Sequence, residues 1–248
     1  MMPLKSETSM TIQAILFDLD NTLTHRDLSV QQYSQSLVRH YAEQLQNPEH
    51  LYARVAEIIR YIDHGGYPLK ERLTQPSIAA SVADALIQQL DWMKAPSLDE
   101  LTAYWFSQFG LNAVVMPHAE QVLQQLKQQA YRLAVVSNGG HATRETILKG
   151  LGFQQYFDVV VSSELAEVAK PQAGIFQYAC RQLNVLPEHC LFVGDHPVND
   201  IQGAVDVGMQ AVWLSGFHAD KPTVTHTPIQ RLTELFTLLT SSEVECDA

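Results

Sequence analysis

The chain has 248 residues, 46% of them apolar, enough for one large domain or two modest ones with a real core. A formal charge of -11 argues against recognition of nucleic acid or an anionic membrane by bulk electrostatics, although a local basic pocket stays open. No stretch approaches the ~18–20 apolar residues that span a bilayer, and the polar start, Met1 to Thr11, lacks an apolar signal core, so a cytoplasmic protein is expected.

Met10 is an alternative start, with residues 1–10 and 241–248 read as loose tails. Cys180, Cys190 and Cys246 show no zinc spacing and read as buried or idle thiols of a reducing compartment. The histidines form no H-x-x-x-H cluster, so zinc is not expected.

The first element is an apolar run, Ile12 to Phe17, a strand buried on both faces that ends in Asp18-Leu19-Asp20-Asn21-Thr22-Leu23. Helical spacing then takes over. Leu37, Tyr41 and Leu45 lie on one helix, and Asn47-Pro48 opens another carrying Leu51, Val55, Ile58, Ile59 and Ile62 up to Gly65-Gly66. A third carries Ile78, Val82, Leu86 and Leu90. A fourth opens with the capping box Ser97-x-x-Glu100 and carries Leu101, Trp105 and Phe109. Four helices without a strand predict an all-helical unit inserted after the first strand.

From Pro117 the pattern alternates. A helix with Val122, Leu123 and Leu126 precedes a strand, Leu133 to Val136, that ends in Ser137-Asn138-Gly139-Gly140. A helix, His141 to Leu151, precedes the strand Asp158 to Val161. Lys170-Pro171 introduces a helix with Ile175, Phe176, Ala179 and Leu183, and the strand Cys190 to Val193 ends in Gly194-Asp195. A helix with Ile201, Ala204 and Val205 and a strand, Ala211 to Leu214, follow. Beyond Phe217 the pattern is less regular, with a last surface helix over Leu232 to Leu239. Strands separated by such helices make an α/β fold, a Rossmann-like doubly wound parallel sheet, here split by a helical cap. The expected division is 11–24 and 114–240 for the catalytic core and 25–113 for the cap.

Polar groups cluster after four strand ends: Asp18 with Asp20, Ser137 with Asn138, Lys170, and Asp195 with Asp200. Open α/β sheets hold ligands at that edge. Taken alone, Asp18 and Asp20 are either a solvated acidic turn or a pair that needs a hard divalent cation such as Mg2+. Together with the other groups they suit phosphoryl transfer. A carboxylate can be phosphorylated, and a second can shuttle a proton. A serine and the amides of a glycine-rich turn suit phosphate oxygens, and a lysine offsets the gathered charge.

Four motifs in order, Asp18-Leu19-Asp20-Asn21-Thr22, Ser137-Asn138-Gly139, Lys170-Pro171 and Gly194-Asp195-His196-Pro197-Val198-Asn199-Asp200, resemble those of the haloacid dehalogenase superfamily. The resemblance implies Asp18 as nucleophile, Asp20 as general acid/base and Lys170 as the anchor of the nucleophile. It implies Mg2+ held by Asp18, the Asp20 carbonyl and Asp195, with Asp200 acting through a water. Thr22 would orient the loop, and Ser137, Asn138 and Gly139 would take the phosphate. The helical insert resembles the family's cap, with Leu23–Arg26 and Asn112–Met116 as hinges. Asp20 favours phosphate esters over haloacids, because a departing alkoxide needs a proton and a halide does not.

The resulting expectation is a magnesium-dependent phosphatase for a small phosphorylated metabolite: a nucleotide, a flavin or ribityl phosphate, a sugar phosphate or phosphoglycolate. A phosphosugar mutase, a 2-haloacid dehalogenase and a non-enzymatic phosphate-sensing module are the alternatives. A monomer or small homo-oligomer is expected. In the insert, His25 and Arg26 are either substrate contacts or a solvated hinge. Asp63-His64-Gly65-Gly66-Tyr67 is either a specificity loop or a helix-ending turn. Arg60 and Arg72 read as surface charges, and Trp92, Tyr104 and Trp105 as cap core.

Overall fold

A computed structural model describes residues 11–244; the expectations for Met1, Met10 and Cys246 lie outside the described residues. In chain order the main elements are β1 (Ala14–Phe17), α1 (Arg26–His40), α2 (Tyr52–Asp63), α3 (Ile78–Gln89), α4 (Leu98–Gln108) and α5 (Ala119–Gln128). They continue with β2 (Arg132–Ser137), α6 (His141–Leu151), β3 (Val159–Ser162), α7 (Ala173–Leu183), β4 (Cys190–Gly194) and α8 (Gly203–Asp206). The chain closes with β5 (Gln210–Leu214), β6 (Thr227–Ile229) and α9 (Leu235–Val244). Two compact units result: residues 11–18, 117–138 and 156–244, and residues 19–116 and 139–155.

The first unit is built on a six-stranded sheet in the order β3-β2-β1-β4-β5-β6, and every neighbouring pair is parallel. All four residues of β1 are fully buried, as a central strand covered on both faces requires. The register sets Phe17 beside Val135 and Val193, so Asp18, Ser137 and Asp195 leave the sheet at one edge. Ala14, Leu16, Val136, Phe176 and Phe192 share one core, with α7 against the strands. Two features depart from expectation. The sequence from Pro197 begins with a wide π-type turn, Pro197–Gln202, and only one helical turn, α8, follows. The sixth strand was missed because it is three residues long and contains Pro228, which an edge strand tolerates.

The second unit holds α1 to α4 with no strand among them, as the periodicity predicted, together with α6. Tyr33, Leu37, Val55, Ile59, Val82, Leu86 and Leu101 fill its core. Trp105 stacks on Phe109 with ring centroids 4.3 Å apart, and Tyr33 meets Trp105 edge-on. Trp92 and Tyr104 pack against this core, as read from the sequence. The α4 capping box forms in full. Elsewhere the boundaries shift. Tyr41 caps α1, leaving Leu45 beyond it, and Asn47 takes a left-handed conformation before a short turn, so α2 starts only at Tyr52. Gly110 and Gly150 meet where α6 crosses the turn after α4; a side chain on Gly150 would overlap the Gly110 carbonyl.

The segments on either side of the four helices pair with each other. Thr24 bridges to Val115, the His25 amide donates to the Val114 carbonyl, and the Met116 amide donates to Leu23.

Candidate active site

The first unit gathers Asp18, Lys170, Asp195 and Asp200. Lys170 Nζ donates to Asp18 Oδ1 at 2.5 Å and to Asp200 Oδ1 at 2.6 Å, and all three side chains are buried. The second Asp200 oxygen accepts the His196 amide at 2.9 Å. Gly194 makes this packing possible, because a Cβ there would collide with the Asp200 carboxylate. The π-type turn then starts from His196, whose Nδ1 accepts the amides of Val198 and Asn199. Asp195 is held from two sides: Trp213 Nε1 donates to its carbonyl at 2.8 Å, and His218 Nε2 to its Oδ2 at 2.9 Å.

Two buried carboxylate oxygens, Asp18 Oδ2 and Asp195 Oδ1, have no hydrogen-bond partner. Ligand atoms of Asp18, Asp195 and Asp200 lie within 4.8 Å of one another. Such crowding shows in the acidities. Burial raises the Asp18 carboxyl well above its ordinary value; Lys170 opposes the rise, and Asp200 and Asp195 add to it. Burial likewise pushes Asp195 up to about 6, against the hydrogen bond from His218. Lys170 is raised, its burial being outweighed by the charges of Asp18 and Asp200.

Ser137 is buried at the end of β2. Asn138 bonds to the Lys170 backbone. Its Oδ1 accepts the Lys170 amide at 2.8 Å and its Nδ2 donates to the Lys170 carbonyl at 3.1 Å, tying the β2 loop to the lysine. Gly139, which opens the turn into α6, has φ +133°, a conformation that favours glycine.

The second unit places Asp20 in a buried ionic chain with Arg26, Asp63 and Arg144. Arg26 Nη1 donates to Asp20 Oδ1 at 2.8 Å, and Arg144 Nη1 to Asp20 Oδ2 at 2.9 Å. The Arg26 fork also grips Asp63, through Nε at 3.1 Å and Nη2 at 2.5 Å, and its guanidinium lies over the Phe109 ring. Burial would raise the Asp20 carboxyl, but Arg26 and Arg144 together hold it down at about 2. Thr22 is fully buried, with Oγ1 unpartnered.

This chain of charges answers two questions left open by the sequence. Arg26 is buried, so the reading of it as a solvated hinge is overturned. The turn after α2 does end a helix, with His64 left-handed, but it also joins the ionic chain: Gly66 donates its amide to Asp63, and the Asn21 side chain donates to the Gly65 carbonyl at 3.5 Å. Arg60 pairs with Asp27 on the surface, and Arg72 lies over the Tyr61 ring. Sequence reasoning missed Arg144 and His218. Arg144 sits in the first turn of α6, directly after the Ser137-Asn138-Gly139 loop, and His218 follows the carboxyl end of β5.

A family profile described as haloacid dehalogenase-like hydrolase matches residues 12–208. The chain is 29% identical to N-acylneuraminate-9-phosphatase of Homo sapiens, over 95% of this chain and 96% of that protein. It is 28% identical to glyceraldehyde 3-phosphate phosphatase of Pyrococcus abyssi, over 82% of this chain and 81% of that protein. Among solved structures, the HAD-hydrolase YfnB from Bacillus subtilis, bound to magnesium, is similar with a TM-score of 0.69 and 22% identity, covering 92% of this chain and 99% of that one. The L-2-haloacid dehalogenase of Xanthobacter autotrophicus has the same fold, with a TM-score of 0.67 and 18% identity over 93% of this chain and 99% of that one. Fold, motif order and full-length similarity agree: the chain belongs to the haloacid dehalogenase-like hydrolases.

Proposed function

We propose that this hydrolase cleaves small phosphate monoesters through an aspartyl-phosphate on Asp18, with Mg2+ as cofactor. The buried cluster of Asp18, Asp195, Asp200 and Lys170 carries this reading. Three buried carboxylates share one ammonium and the His218 ring, and the two unpartnered oxygens are hard donors, which suits a small divalent cation. Asp18 and Asp195 would hold it with the Asp20 carbonyl, and Asp200 would act through a water. When bound, Mg2+ supplies charge neutralisation for the phosphoryl group.

The residues supply the rest. An Asp18 carboxylate oxygen attacks phosphorus, and the bond from phosphorus to the ester oxygen breaks. The departing alkoxide takes a proton from Asp20. Water then attacks the aspartyl-phosphate and gives its proton to Asp20, which frees Asp18 and phosphate. Lys170 orients Asp18 and offsets its charge, Asn138 fixes the Lys170 backbone, and Ser137 with the amides of the following turn takes the phosphate oxygens. Asp20 between Arg26 and Arg144 is a held carboxylate rather than an acid, so proton donation requires at least one arginine to let go.

Similarity to phosphatases named for N-acylneuraminate 9-phosphate and glyceraldehyde 3-phosphate, over more than four fifths of each chain, supports phosphorylated sugars and sugar acids as the substrates to try first. Phosphate release from a panel of sugar phosphates, nucleotides, flavin mononucleotide and phosphoglycolate, with Mg2+ and with chelator, tests the proposal. The expected result is Mg2+-dependent turnover that falls by at least about 10³ in Asp18→Asn. Undiminished hydrolysis by folded Asp18→Asn would overturn the nucleophile.

A further inference from the structure

We propose that His218 is a positioning residue for the cation site: it holds Asp195 Oδ2, so that Oδ1 is the oxygen offered to the divalent ion. His218 belongs to none of the four motifs; it lies in the loop between β5 and β6. Its Nε2 donates to Asp195 Oδ2 at 2.9 Å, and Asp195 is fully buried. The Asp195 main chain is fixed independently, because the buried indole of Trp213, on β5, donates to its carbonyl at 2.8 Å. With backbone and one carboxylate oxygen held, the side-chain rotation that would turn Oδ1 away is restrained. Oδ1 is then the oxygen left without a partner, and ligand atoms of Asp195, Asp18 and Asp200 lie within 4.8 Å of one another.

His218 is itself supported. The His196 ring packs at 4.6 Å from the His218 ring, and His196 Nδ1 is fixed by the amides of Val198 and Asn199 at the start of the turn that carries Asp200. The loop after β5 is thereby linked to both aspartates that follow β4. Outer-shell groups that orient a ligating carboxylate commonly change metal affinity by about 10–100-fold when removed. The inference rests on reading Asp18, Asp195 and Asp200 as a divalent-cation site.

Calorimetric titration of the full chain with Mg2+ alone, at constant pH and ionic strength, tests it on wild type, His218→Ala and His218→Gln. Circular dichroism would verify that each is folded. Glutamine retains an N–H donor of similar reach, whereas alanine does not. His218→Ala is expected to bind Mg2+ at least about tenfold more weakly, and His218→Gln to stay within about threefold of wild type. Wild-type affinity in His218→Ala, or equal weakening in both variants, would overturn the positioning role while leaving the cation site intact. Absence of Mg2+ binding by wild type would overturn the cation site itself, and the role of His218 with it.

Discussion

Arg26 is the residue on which the buried charges of the helical unit depend, and Arg26→Met isolates its guanidinium. Methionine retains an apolar stem against Phe109 but loses the fork on Asp63 and the bond to Asp20. Asp20 keeps its bond to Arg144. Asp63, whose side chain is 1% exposed, keeps the Gly66 amide but no arginine. Removing one side of a buried pair costs ~3–5 kcal/mol, chiefly for the carboxylate left behind. At ~2–4 °C per kcal/mol for a chain of this size, the melting temperature should fall by about 6–20 °C. Urea unfolding followed by circular dichroism measures the loss directly. The double variant Arg26→Met/Asp63→Asn, which removes the stranded charge, should recover part of it. A loss under about 1 kcal/mol in the single variant, or purely additive losses in the double, would refute the argument, because uncompensated charge would then not set the cost.

Two further outcomes follow from packing and charge. Gly150→Ala should destabilise by ~1–3 kcal/mol, because its methyl would overlap the Gly110 carbonyl and push α6 from the turn after α4; thermal melts would show it, and a neutral result would mean that the two backbones separate freely. Asp158 is partly buried, which works against its charge, but the Leu133 amide and Lys127 win and lower its carboxyl. Its stabilisation is therefore complete above the unfolded value of about 3.9 and is lost as pH falls through the lower folded value. Asp158→Asn should flatten the stability profile in that acid range, and an unchanged profile would show that the contact carries no linkage.

What the sequence showed and what it hid follow from the range of the interactions involved. The parallel strands were legible because a strand buried on both faces is a short apolar run, and the four helices because their cores recur at helical spacing. Asp18, Lys170, Asp195 and Asp200 were legible because each leaves a strand end, or the loop beyond it, at the ligand edge of the sheet. β6 was not, since three residues around a proline carry no period. Arg144 and His218 were hidden for a different reason. Each meets its aspartate across a long gap in sequence, 124 residues for Asp20 with Arg144 and 23 for Asp195 with His218, and no local spacing announces such a pair.

Charge separates the roles of the two clusters. In the helical unit, two carboxylates face two guanidiniums, and each arginine donates to at least one carboxylate. Burial of that set is tolerable without a ligand, and its natural office is to hold Asp20 and the turn after α2 together. In the sheet unit, three buried carboxylates face one lysine and the His218 ring, and two of their oxygens have no hydrogen-bond partner in the protein. Burying uncompensated charge is costly, and a fold keeps such a deficit where a ligand of opposite charge returns the energy on binding. On the proposed function, the balanced cluster would govern when Asp20 exchanges a proton, and the unbalanced one would hold the cation. A variant that neutralises one acid of the sheet cluster, such as Asp195→Asn, is accordingly expected to lose Mg2+ affinity yet gain stability without the ion, whereas Arg26→Met loses stability with or without it.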